Sequence, residues 1–104
     1  MTLREFENNL KETFPDTYEL AAPQGMKRFV VWHRYGRRSY YGDNRNVLDL
    51  PKVQIEIVSN IDGDYLVEDV CAALWAMDLP YSVESEGYDP EYNAYRTILQ
   101  TEVA

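Results

Sequence analysis

The sequence predicts an α+β domain, with a mostly antiparallel sheet of four to five strands and two helices packed on one side. Three observations predict it. Two segments repeat apolar residues at helical spacing, several others alternate or cluster β-branched and aromatic residues, and short turns between neighbouring strands favour antiparallel pairing. The expected order is helix, three strands, helix, two strands, in one domain spanning residues 1–104. A chain of 104 residues, 45% hydrophobic, can bury roughly two thirds of its unfolded surface in a single core.

Thr2 stands three residues before Glu5, the spacing of a capping box, and Leu3, Phe6, Leu10 and Phe14 then recur at helical spacing until Pro15. Residues 16–26 contain Pro23 and Gly25 with little periodicity and read as a loop crossing the surface. Residues 28–35 are rich in β-branched and aromatic types, and Gly36 permits a reversal into Ser39, Tyr40 and Tyr41, which makes a hairpin. After the polar stretch 42–46, the segment 53–57 alternates cleanly and places Val53, Ile55 and Ile57 on the covered face. Asp62, Gly63 and Asp64 supply turn and N-cap chemistry. The second helix then sets Leu66, Val70, Ala73, Leu74 and Met77 on one side, and Asp78 and Pro80 end it. Residues 81–84 read as a short strand and 87–90 as a turn. The last strand, 95–103, puts Tyr95, Leu99 and Val103 on one face.

Charge is unevenly distributed. Residues 1–26 hold five acids and two bases, residues 27–52 two acids and seven bases, and residues 53–104 eleven acids and one base, within a net charge of −8. A basic middle and an acidic second half give one small domain two electrostatic faces, which attract each other between copies. No apolar run approaches the roughly 20 residues of a membrane helix, and Glu5 and Glu7 replace a secretory pattern, so a water-soluble, cytoplasmic chain with no membrane partner is expected. Cys71 is the single cysteine, which leaves no internal disulfide and no zinc set.

The chemistry-bearing residues form no catalytic pattern, and the chain does not read as an enzyme. His33, the one histidine, sits inside a strand pattern away from any Cys or carboxylate spacing, and reads as structural. Cys71 reads as a small core residue. Residues 60–64 echo the start of a calcium loop, but the glycine comes too early and no closing glutamate follows, so no metal is expected. The five glycines are scattered singly and make no phosphate loop, so no cofactor is expected. Glu84, Glu86, Asp89 and Glu91 lie around a turn where solvent keeps them ordinary. Arg34, Arg37, Arg38 and Arg45, interleaved with Tyr35, Tyr40 and Tyr41, resemble a nucleic-acid patch, but the rest of the domain would repel a phosphate backbone. Tyrosine and arginine are also the residues enriched at protein interface hot spots, and this chain has nine tyrosines.

The order of elements and three local stretches resemble a family of small tail-completion (tail terminator) or head-to-tail joining proteins of tailed bacteriophages and prophages. The stretches are residues 41–45 leading to the alternating strand 53–57, then Leu79, Pro80 and Tyr81, and finally residues 84–92 leading into 95–103. The resemblance covers most of the chain. It implies a virion structural protein that closes into a homo-oligomeric ring, often sixfold, at the upper end of the tail tube or between tail and connector. It also implies partners among tail or connector proteins, residence in the host cytoplasm before assembly, and neither cofactor nor catalytic motif. Ring closure needs two different patches per copy. The candidate interface residues are Arg34, Arg37, Arg38, Tyr40, Tyr41 and Arg45 on the basic side, with Glu86, Tyr88, Asp89 and Tyr92 on the acidic side. Two rival readings remain: an acidic DNA mimic that inhibits a nucleic-acid-binding protein, and a small ligand-binding or catalytic domain with a pocket between sheet and helices.

Overall fold

The computed structural model describes residues 1–42 and 45–103, and for residues 38–42 and 45–49 the backbone alone. The chain runs α1 (Leu3–Thr13), β1 (Thr17–Glu19), β2 (Arg28–Gly42), β3 (Arg45–Ser59), α2 (Leu66–Ala76), β4 (Tyr81–Asp89) and β5 (Ala94–Glu102). It is an α+β fold with the expected order of helices and strands. The strands form one sheet in the order β1-β2-β3-β5-β4, antiparallel throughout except that β1 lies parallel to β2.

Helix α1 begins where the sequence places it. Thr2 Oγ1 accepts the Glu5 amide at 3.1 Å, and the Glu5 carboxylate accepts the Thr2 amide at 3.4 Å, which satisfies two of the helix's orphan donors. Phe6 and Leu10 enter the core, where the Phe6 ring meets Trp32 edge-on at 5.5 Å. The Trp32 indole donates to Glu7 at 2.8 Å, so its one polar atom is satisfied at the boundary between helix and sheet.

Helix α2 contributes Leu66, Val70 and Leu74 to the same core, opposite Val53, Ile55, Ile57 and Leu99 of the sheet. It ends in a reciprocal pair of hydrogen bonds, Asp78 N–H to Trp75 O and Leu79 N–H to Leu74 O, each at 3.0 Å. This is the six-to-one, five-to-two pattern that follows a left-handed residue, and Asp78 occupies that position with φ of 59°. Leu79 folds back into the core as the apolar contact of the motif.

Both helices lie on one face of the sheet. On the other face, Val31 and Val58 are buried although no helix covers them, and residues 20–26 lie beside Phe29 and Val31. The loop crossing expected from the sequence is therefore a lid over one end of the open face.

Three details depart from the sequence reading. Residues 17–19 form a strand, because Val30 N–H reaches Asp16 O and Leu20 N–H reaches Trp32 O, at 3.0 and 2.9 Å. Gly36 does not reverse the chain. It lies at a register shift between Arg34 and Gly36, so β2 continues to Gly42 and the crossing to β3 falls at 43–44, outside the described residues. β4 continues through Gly87 to Asp89, and the turn falls at 90–93, with Asn93 in the left-handed region at φ of 52°.

Candidate functional site

Two surfaces lie at opposite ends of the sheet. The first is an arm. β3 pairs with β5 only from Lys52 onward, and β1 pairs with β2 only at Val30–Trp32. Residues 37–42 and 45–51 consequently pair with each other beyond the rest of the sheet. Seven residues of strand span roughly 23 Å, which accounts for much of the molecule's 50 Å long axis against 26 and 23 Å across. A two-stranded ribbon is marginally stable alone, and the described core on the helix side stops at Trp32 and Val53. Arg34 and Arg37 are exposed on β2 near the base of the arm, while the side chains of Arg38, Tyr40, Tyr41 and Arg45 lie outside the described residues.

The second surface is the flank between α2 and β4. The register sets Arg28, Ser59, Tyr95 and Tyr88 in one row across the sheet, at the end away from the arm. Eight of the nine β4 residues are exposed, because α1 and α2 cover the other strands and leave this edge bare. On its helix-side face Val83 and Tyr88 are 53% and 52% exposed. Beside them, Glu68 and Val67 of α2, Glu86, Tyr95 and Thr97 rim a hollow of about 210 Å³. The Asp62 carboxylate, then burial, hold the Tyr95 phenol above its ordinary pKa.

Of the expected acidic-side residues, Glu86 and Tyr88 lie on the helix-side face of the sheet and Asp89 and Tyr92 on the open face, on either side of the β4–β5 turn. Tyr88 donates its hydroxyl to Asn93 Oδ1 and packs edge-on against Tyr95 at 5.4 Å. Arg96 lies over the Tyr92 ring at 5.4 Å, donates to Glu56 at 2.6 Å and stands 3.6 Å from Asp89. Asp89 also accepts the Glu91 amide at 2.9 Å. Asp89 and Tyr92 are thus partly engaged within the chain, whereas Glu86 faces solvent at the hollow's rim. Among the described residues, Arg34 and Arg37 do not meet the acidic set within one copy, since the length of the sheet separates them.

Sequence reasoning missed Trp75, which is 83% exposed on α2. The signal was present: at 100° per residue Trp75 falls far from the Leu66, Val70, Leu74 stripe, which predicts an exposed aromatic. Cys71, between Trp75 and Val67 on that side of the helix, is near enough to Tyr81 to raise the pKa of its phenol above the ordinary value. Cys71 is half-buried, packed at the margin of the core.

His33 is half-buried on the open face, paired with Gln54 across β2 and β3. The carboxylates of the segment that echoes a calcium loop serve other partners: Asp64 holds Arg28, Ser59 and the Leu66 amide. Asp64 does the capping expected of this segment from one residue outside the cap position, which Tyr65 fills without a side-chain bond. Among the described residues no three His, Cys, Asp or Glu side chains cluster closely enough to hold a metal ion, and no helix is long and apolar enough to cross a membrane.

These features define a small α+β domain with a projecting strand pair at one end and a bare, acidic, tyrosine-rich sheet edge at the other. No family model and no curated protein matches the chain.

Proposed function

We propose that this chain is a structural protein of a bacteriophage or prophage virion, which completes the tail or joins tail to head by closing into a ring of identical subunits. The observation that carries the reading is the separation of the arm from the α2–β4 flank. Residues 34–42 contain three arginines and no acid, residues 84–91 contain four acids and no base, and they occupy opposite ends of a 50 Å molecule. The two cannot pair with each other within one copy, whereas a head-to-tail contact repeated by rotation pairs them for every member of a closed ring. Arm strands without a covering layer gain from such a contact, and Trp75, Val83 and Tyr88 supply apolar and aromatic area for it. Exposed charge pairs contribute about 0–1 kcal/mol each, so they set register and encounter rate while aromatic burial supplies affinity.

Two measurements test the reading. Deleting the gene should leave filled heads without tails, or tails of uncontrolled length, in electron micrographs of induced cells, and normal infectious particles would refute it. Reversing Arg37 and Arg38 to Glu should weaken assembly at low salt. A DNA mimic would instead give a tight 1:1 complex with a nucleic-acid-binding protein in a pull-down.

A further inference from the structure

We infer that the free edge of β4 is completed by the outer edge of the β2 arm strand of a second copy, so that the sheet continues between subunits through backbone hydrogen bonds. This rests on the ring-forming reading and adds the way in which the two surfaces meet.

An edge strand presents a row of unpaired N–H and C=O groups, and proteins usually shorten, cover or distort it. The edge at β1 is three residues long. β4 is nine residues long and exposed, with one register shift between Val83 and Ser85. Its outer side is a template for strand addition, a recurrent mode of recognition.

Charge selects the occupant. Residues 81–89 hold Glu84, Glu86 and Asp89 and no base, while residues 34–42 hold Arg34, Arg37 and Arg38 and no acid. Two β4 edges side by side would set three carboxylates against three, which opposes a symmetric dimer through this edge. An arm strand of equal length carries three arginines and so brings the opposite charge to this edge. The arm strand has an outer side to offer, because β1 pairs with β2 no further than Trp32 and, among the described residues, no strand lies along the outer backbone beyond it. β-branched Val83 and the tyrosines at 81 and 88 give the added strand an apolar flank to lie on.

The test uses two double variants of the whole chain, Arg34→Glu with Arg37→Glu, and Glu84→Lys with Glu86→Lys. All four positions are exposed, so circular dichroism should match the parent. Each variant alone should sediment as a monomer, and the equimolar mixture should assemble like the parent chain. In the assembled parent, amides of residues 81–89 and 34–42 should exchange with deuterium about tenfold or more slowly than in the monomer. A mixture that stays monomeric, variants that assemble alone, or a parent that is monomeric at its highest soluble concentration overturns the proposal. Assembly with unchanged exchange at 81–89 overturns strand addition while leaving the virion reading in place. Normal particles after gene deletion overturn the virion reading whatever the exchange shows.

Discussion

Arg28 donates two hydrogen bonds to Asp64, Nε to Oδ2 at 2.6 Å and Nη2 to Oδ1 at 2.9 Å, and so ties the start of β2 to the start of α2. Asp64 also accepts the Ser59 hydroxyl at 2.5 Å and the Leu66 amide at 3.1 Å. One carboxylate therefore fixes the end of β3, the turn after it and the entry to α2. Asp64, Leu66 and Val67 then line the hollow that faces Glu86 and Tyr95.

The Arg28 bonds hold the Asp64 carboxyl down at about 2, below the usual carboxylate range. Because the folded pKa lies below the unfolded one, the stabilisation is present above about pH 4 and is lost as pH falls toward 2. Thermal unfolding of the parent and of Asp64→Asn should therefore differ by about 1–2 kcal/mol at pH 7 and converge near pH 2. A gap unchanged down to pH 2 would contradict this role.

Asp78 holds a left-handed backbone at φ of 59° that glycine adopts without penalty. Asp78→Gly should stabilise the monomer by about 0.5–1 kcal/mol in urea unfolding. Destabilisation would mean that the Asp78 side chain contributes more than its backbone strain costs.

Phe6 is fully buried against Trp32. Phe6→Ala should cost about 3–5 kcal/mol and loosen α1 from the sheet, visible as faster amide exchange in residues 3–13. An exposed counterpart should behave oppositely. Trp75→Ala should leave the melting temperature within a degree or two while weakening self-association, measured by sedimentation. If Trp75→Ala assembles as the parent does, the α2–β4 flank is not the contact surface.

Replacing residues 38–50 by an Asn-Gly turn between Arg37 and Pro51, which face each other across β2 and β3, should leave the rest of the sheet intact, because β5 pairs with β3 only from Lys52 onward. The expected change in stability is within about 1 kcal/mol. The shortened chain should fold, stay monomeric and fail to incorporate into particles. Incorporation at parental levels would remove the arm from the assembly mechanism.

Local chemistry made much of this fold legible from residues alone. The capping box at Thr2 and Glu5, the alternation of Val53, Ile55 and Ile57 and the stripe of Leu66, Val70 and Leu74 each state a period and a buried face, and each lies where expected. The opposed charges of the middle and the second half were likewise visible. Pairing was not visible, because it depends on residues far apart in the chain. Gly36 suits a reversal as well as a register shift, and only the ladder from Arg28↔Ser59 to Gly42↔Arg45 shows that it marks a shift. β1 is three residues long and gains its hydrogen bonds from a parallel partner more than ten residues away, so it leaves no periodic trace. The placement of arm and acidic edge at opposite ends follows from the register that sets Arg28, Ser59, Tyr95 and Tyr88 in one row, a property of long-range pairing that no local pattern encodes.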